Sequence, residues 1–181
     1  MKQENYREEL VIPQGVKATL EGHVLVVSGP KGEVRRELRD PRLVLTLESG
    51  KLILSVKLFT KKEKMMVGTF RSHILNMFKG VIDPYVYKLK ICSGHFPMNI
   101  TVAQGTFTVK NFIGEKVPRV LKLKFGVDVK VEGEVITITH VNKEVAGQTA
   151  SAIELLCRRP GFDRRVFQQG IFITEKVGKP I

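Results

Sequence analysis

The fold is decided by a short stretch of sequence that occurs twice in the chain. Residues 12–27 read IPQGVKATLEGHVLVV, and residues 96–109 read FPMNITVAQGTFTV. Each stretch opens on an apolar residue and a proline, turns at a glycine (Gly22 and Gly105), and continues as a second alternating run. Alternation bounded by glycine turns is typical of antiparallel strands with one buried face. The chain therefore begins each copy with a predicted pair of strands.

Further correspondences follow in the same order, at an offset of about 80 residues, which indicates an internal duplication. They are Gly32-Glu33 with Gly114-Glu115, residues 47–56 with residues 130–139 (turns at Ser49-Gly50 and Glu132-Gly133), and Gly68 with Gly147, each six positions before an isoleucine, Ile74 or Ile153.

Each copy ends in a predicted amphipathic helix. The first helix is indicated by an apolar stripe at Met66, Phe70, Ile74 and Met77, a capping box over Thr60–Glu63, and a glycine end at Gly80. The second is indicated by Val145, Thr149, Ala152, Ile153 and Leu156, with Asn142 as the N-cap and Arg158-Arg159-Pro160 as the stop.

These patterns predict an α+β fold made of two tandem copies of a small domain. Each domain is expected to be an antiparallel or mixed β-sheet with one helix packed on the sheet. The predicted domains are residues 1–80 and residues 81–181, the second carrying a basic C-terminal extension.

The charge of the chain predicts an anionic partner. The formal net charge is +12, divided equally because residues 1–80 and 81–181 each hold fifteen basic and nine acidic residues. Nucleic acid is the commonest partner of so basic a protein, and an acidic membrane is the weaker alternative. No apolar run approaches the roughly 18 residues of a membrane span, and the N-terminus does not resemble a signal peptide. We therefore expect a cytoplasmic protein without a membrane partner.

Catalytic and metal-binding patterns are missing from the sequence. It has no phosphate-binding glycine loop, no dinucleotide fingerprint and no hydrolase or metalloprotease motif. Cys92 and His95 would supply only two ligands, whereas a structural zinc needs four. We predict no enzyme activity, no metal, no cofactor and no small-molecule substrate. An enzyme acting on nucleic acid is the rival class, but it needs clustered carboxylates or a His/Cys site. The acidic residues are scattered and often neighbour a basic residue.

The strongest candidate site is the stretch from Arg158 to Arg165. It places Arg158, Arg159, Arg164 and Arg165 on a loop, with Phe162 between them. Guanidinium groups bind phosphate with paired hydrogen bonds, and an aromatic ring can stack on an unpaired base. A merely solvated loop is the alternative. The turn Gly29–Gly32 likewise presents a lysine that either approaches a phosphate or is solvated.

Taken together, these motifs resemble the family of the universal large-subunit ribosomal protein number six, in its archaeal/eukaryotic branch. The resemblance covers nearly the whole chain. It is carried by Gly29–Gly32, Met77–Val81, Tyr87–Lys90, His95–Met98, Asn111–Lys116, Gly147–Ala150, Asp163–Ile171 and Glu175-Lys176.

The resemblance implies a structural constituent of the large ribosomal subunit. It implies binding to large-subunit rRNA mainly through the second domain, near the stalk base and the translation-factor site, with other ribosomal proteins as neighbours. The RNA-contacting residues that it implies here are His95, Lys116, Arg119, Arg158, Arg159, Arg164, Arg165, Lys176 and Lys179. The triplet Cys92–Gly94 departs from the family, whose members typically carry a bulkier aromatic there. A free-standing RNA chaperone or regulator is the alternative.

Overall fold

The chain forms two compact units, Met1–Pro84 and Tyr85–Ile181. The computed structural model describes residues 3–48, 50–94, 96–163, 165–166 and 168–181, without the side chains of residues 3–5, 58 and 59. The division falls four residues later than the predicted one after residue 80. Among the described residues, neither helix combines the length and the apolarity that a membrane span requires.

The first unit contains two small antiparallel sheets and a helix. Its elements are β1 (Gln3–Val11), β2 (Lys17–Glu21), β3 (Val24–Gly29), β4 (Gly32–Glu37), β5 (Leu43–Glu48), β6 (Lys51–Phe59) and α1 (Lys61–Ile82). One sheet has the order β2-β3-β4 and the other the order β1-β6-β5. Helix α1 packs against β3, β4 and β6, so it contacts both sheets.

Helix α1 begins as predicted but ends later. The backbone N–H of Thr60 donates to Oε2 of Glu63 at 3.2 Å, and the capping box is present. The predicted end at Gly80 is wrong, because Gly80 is buried within the helix and the next residue, Val81, is fully buried. The helix continues to Ile82 because this apolar contact lies beyond the glycine, and Asp83 is the C-cap.

The second unit repeats this plan and adds strands to it. Its elements are β7 (Tyr85–Cys92), β8 (Asn99–Ala103), β9 (Thr106–Lys110), β10 (Arg119–Lys122), β11 (Asp128–Glu132), β12 (Val135–His140), α2 (Lys143–Leu156), β13 (Gly170–Lys176) and β14 (Lys179–Pro180). One sheet has the order β10-β9-β8 and the other the order β11-β12-β7-β13-β14. Helix α2 packs against β7, β10, β12 and β13. Asn142 caps it as predicted, accepting from the N–H of Glu144 at 2.9 Å.

The two units correspond strand by strand, which confirms the predicted α+β duplication. In the first unit β6 lies between β1 and β5, and in the second unit β12 lies in the same way between β7 and β11. The prediction of one sheet per domain was too simple, since the strands of each unit divide between two sheets. Part of the basic C-terminal extension is also a strand, because β13 pairs with the edge of β7 that β12 leaves open.

The core of the second unit fixes the end of helix α2, from which the predicted arginine-rich loop departs. Leu89, Ile136 and Ile153 are fully buried between the larger sheet and α2, and Phe112 is buried beside them. Burial raises the pKa of the Cys157 thiol to about 11, so this cysteine behaves as a small apolar side chain. Cys157, at the end of α2, is therefore packed into the core, and the arginine-rich loop begins at this fixed point.

Candidate nucleic-acid interface

The arginine loop, which we define as residues 157–169, joins the end of α2 to the start of β13. Its first residues continue from the last helical turn, since the N–H of Arg158 donates to the carbonyl of Leu155 at 3.0 Å. Gly161 has a φ of +83°, a conformation that suits glycine in a sharp change of direction. Arg158, Arg159, Phe162 and Arg165 are all exposed. Of the predicted contacts, His95 and Arg164 lie outside the described residues.

Arg119 binds the backbone at the start of this loop. Its guanidinium donates to the carbonyls of Leu156 at 2.6 Å and Arg158 at 3.2 Å. It also forms a bidentate pair with Glu115, at 2.7 and 2.8 Å, and lies 4.3 Å from the ring centroid of Phe112. Because Arg119 donates these hydrogen bonds, it lowers the pKa of the Glu115 carboxyl below its ordinary value. Four hydrogen bonds within the chain give Arg119 a structural role.

Arg159 and Phe162 form an exposed pair on the loop. The guanidinium carbon of Arg159 lies 4.6 Å from the ring centroid of Phe162, and its Nη1 lies 3.7 Å from Oε1 of Glu115. Phe162 also lines a cleft with Phe112 and Gln169. A cation held over an exposed ring is suited to contact a phosphate and a base at the same place.

Arg165 is almost fully exposed, with 91% of its side chain accessible. Its Nε and Nη2 pair with both carboxylate oxygens of Asp163, at 3.2 and 3.0 Å. The backbone N–H of Arg165 donates to the same carboxylate at 2.9 Å. The local pair sets the direction of the side chain, while exposed ion pairs contribute little stability. The Arg165 side chain is therefore held in one direction by Asp163, and its guanidinium stays accessible to an RNA phosphate.

Lys116 lies on the connection between β9 and β10, residues 111–118, and is exposed. The equivalent connection in the first unit is the tight turn at Pro30 and Lys31. There the backbone N–H of Lys31 donates to the carbonyl of Val81 at 3.1 Å, which favours a structural role for that turn. In the second unit the longer connection brings Glu115 within 3.7 Å of Arg159 on the arginine loop.

Lys176 and Lys179 lie at the opposite end of β13 from the arginine loop. They face each other across the hairpin of β13 and β14, and both are exposed. The hairpin turns at Val177 and Gly178, with φ values of +53° and +73°. Like charges directly opposite one another are destabilising. β13 has seven residues, so Lys176 lies about 20 Å from Gly170, where the arginine loop ends. The structure thus divides the predicted site residues between two ends of the second unit.

Comparisons with known proteins agree with this architecture. The family model for ribosomal protein L6 matches residues 12–83 and 96–170, one match in each unit. The chain belongs to the ribosomal protein L6 family. It is 43% identical over 173 residues to the large ribosomal subunit protein uL6 of Methanococcus vannielii, covering 96% of this chain and 95% of the relative. It is 41% identical over 181 residues to the uL6 of Nanoarchaeum equitans, covering 96% and 94%.

Membership of the ribosomal protein L6 family confirms the resemblance seen in the sequence and agrees with a non-enzymatic role. In the part of the chain that the structure describes, no group of three or more His, Cys, Asp or Glu residues is arranged to hold a metal ion.

One exposed residue of this L6 family member was missed by the sequence analysis. Phe125 is completely exposed, at 102% of its reference accessibility, on the turn between β10 and β11. The sequence KLKFG over residues 122–126 contains the signal, because lysines alternate into a glycine turn beside an aromatic residue.

Proposed function

We propose that this protein is a structural constituent of the large ribosomal subunit that binds and organises large-subunit rRNA through its second unit. The carrying observation is the arginine loop, where Arg158, Arg159 and Arg165 are exposed and Arg159 lies over the ring of Phe162. Family membership supports the ribosomal setting, since the relatives are named large ribosomal subunit proteins. The cytoplasmic ribosome is the corresponding location.

In this proposal the loop provides phosphate contacts and Arg119 positions the loop. Arg158, Arg159, Arg165 and Lys116 are exposed and cationic, so each can neutralise a phosphate. Arg119 ties the end of α2 to Glu115 and so fixes the backbone from which the loop arginines project. Phe162 offers a ring face for an unpaired base. The direct RNA contact predicted for Arg119 stays a prediction.

The resemblance also supports a finer proposal about location. We infer a position near the stalk base and the translation-factor site, with neighbouring ribosomal proteins and translation factors as partners. The test is chemical cross-linking in purified large subunits, with cross-linked peptides identified by mass spectrometry. Cross-links to proteins of the stalk base support the location, and cross-links only to proteins distant from the stalk contradict it.

The RNA proposal is tested by the salt dependence of binding to large-subunit rRNA. We expect Arg165→Gln to lower the affinity for rRNA. The slope of log K against log salt concentration should become shallower by about one, the value for the loss of one phosphate contact. Arg35→Gln in the first unit is the matched control, because Arg35 is also exposed and also pairs with a carboxylate two residues away, Glu33.

Equal effects of the two variants on the slope would contradict a specific role for the loop. Binding to rRNA with no co-sedimentation with large subunits in a high-salt gradient would instead support the alternative, a free-standing RNA chaperone or regulator.

A further inference from the structure

The turn between β10 and β11 holds an aromatic ring in solvent. Phe125 is completely exposed, although the turn around it is anchored on both sides. Nζ of Lys124 donates to Oε1 of Gln148 on α2, and the N–H of Val127 donates to the carbonyl of Lys124 at 3.4 Å. Gly126, with a φ of +78°, lies against His140. An anchored turn therefore presents the ring outward, and little backbone freedom is left to lose on binding.

The strand register places basic residues at the same end of the larger sheet as this turn. Asp128 of β11 pairs with Thr139 of β12, which pairs with Val86 of β7. The N–H of Val177, in the turn between β13 and β14, donates to the carbonyl of Val86. We define the lysine end as the side chains gathered beyond this row, namely Lys124, Phe125, His140, Lys143, Lys176 and Lys179.

The charge of the lysine end favours an anionic occupant. Its four lysines outnumber the three nearby carboxylates of the second unit, Asp128, Glu144 and Glu175. Two of these already pair with lysines outside the lysine end, Asp128 with Lys130 at 3.7 Å and Glu175 with Lys88 at 2.8 Å. Lys143 is the first residue of α2, where the helix dipole disfavours a cation. Lys176 and Lys179 face each other across their hairpin. A phosphate group would relieve both unfavourable arrangements.

We propose that the lysine end is a second RNA contact of the second unit, at which Phe125 stacks on an unpaired base while the lysines bind the adjacent phosphates. This inference rests on the proposed function and extends it to another surface. Helix α2 has 14 residues and separates the lysine end from the arginine loop by about 20 Å. Two contacts at that separation would clamp two positions of the folded RNA at once.

The chain contains no tryptophan, which makes a direct test available. Phe125→Trp introduces a single tryptophan at the ring position. We expect its fluorescence to be quenched on titration with a single-stranded oligoadenylate, saturating where the anisotropy of the labelled oligonucleotide saturates. Val44→Trp is the control, since Val44 is an exposed apolar residue on β5 of the first unit, and its fluorescence should not change.

Affinity measurements on large-subunit rRNA complete the test. We expect Phe125→Ala and Phe125→Leu to weaken binding by about tenfold, and Phe125→Tyr to retain it, since stacking needs the aromatic face. The salt slope should stay unchanged, because the ring contacts no phosphate. Unaltered affinity in the Ala variant, or unquenched tryptophan fluorescence in the Phe125→Trp variant while the RNA binds, overturns this inference and leaves the proposed function standing. Failure of every form, including the parent, to bind RNA overturns both.

Discussion

Replacement of Arg119 by alanine distinguishes a structural clamp from an RNA contact. The substitution removes hydrogen bonds to the carbonyls of Leu156 and Arg158 and the bidentate pair with Glu115. Hydrogen bonds from charged groups contribute about 1.5–3 kcal/mol each when their partners lose water. The side chain is 22% exposed, so water partly replaces the lost bonds. We therefore expect Arg119→Ala to lower the free energy of unfolding by about 2–4 kcal/mol.

Urea unfolding followed by tyrosine emission measures this loss. Tyr85 and Tyr87 are buried in the core of the second unit, and the chain has no tryptophan. Arg119→Lys is the control for charge, because lysine keeps the cation but cannot span Glu115 and two carbonyls with one planar fork. We expect this variant also to be destabilised, by about half as much as the alanine variant.

The result that refutes this account of Arg119 combines stability and RNA binding. If the free energy of unfolding of Arg119→Ala lies within about 0.5 kcal/mol of the parent value, the contacts of Arg119 contribute no more to stability than those of an ordinary surface residue. If, in addition, Arg119→Ala reduces the salt slope of rRNA binding while Arg119→Lys preserves it, Arg119 contacts a phosphate directly.

Three further predictions follow from local contacts. Asn142→Ala should lower the free energy of unfolding by about 1 kcal/mol, and Asn142→Asp should restore it, in urea unfolding at neutral pH. The pKa of Glu63 is lowered to about 2, chiefly by hydrogen bonds from Thr60 and Arg42. The ionised carboxylate therefore stabilises the folded protein fully above its ordinary pKa of 4.5, and this stabilisation is lost as the pH falls toward 2. The urea midpoints of the parent and Glu63→Gln should therefore converge over that range. Gly29→Ala should lower the stability, because its Cβ would lie 2.8 Å from Val81. Gly68→Ala should stabilise α1 by about 1 kcal/mol, because a Cβ there meets nothing within 4 Å. Thermal unfolding of both variants measures these changes.

The sequence was sufficient for the repeated elements because their signals are local. Alternating strands, the capping box at Thr60 and the cap at Asn142 all depend on residues within a few positions of one another. The end of α1 could not be predicted in the same way. Gly80 is a local stop signal, but burial of Val81 by the rest of the unit outweighs it.

Strand β13 and the role of Arg119 depend on contacts far along the chain. Only the short run Ile171–Ile173 marks the strand, and its partner β7 lies some 80 residues earlier. Arg119 looks like any other basic residue in the sequence, while its carbonyl partners are 37 and 39 positions away. The exposed position of Phe125 likewise follows from packing, because an aromatic residue near a turn is more often part of a core.

The most direct test of the central claim, that the second unit holds the rRNA, is RNA cross-linking in purified large subunits. Cross-linked peptides would be mapped separately to residues 1–84 and 85–181. The account predicts that cross-links concentrate in the second unit, with the arginine loop at residues 157–169 among the strongest. Cross-links confined to residues 1–84, or absent from the arginine loop while the first unit is labelled, would contradict it.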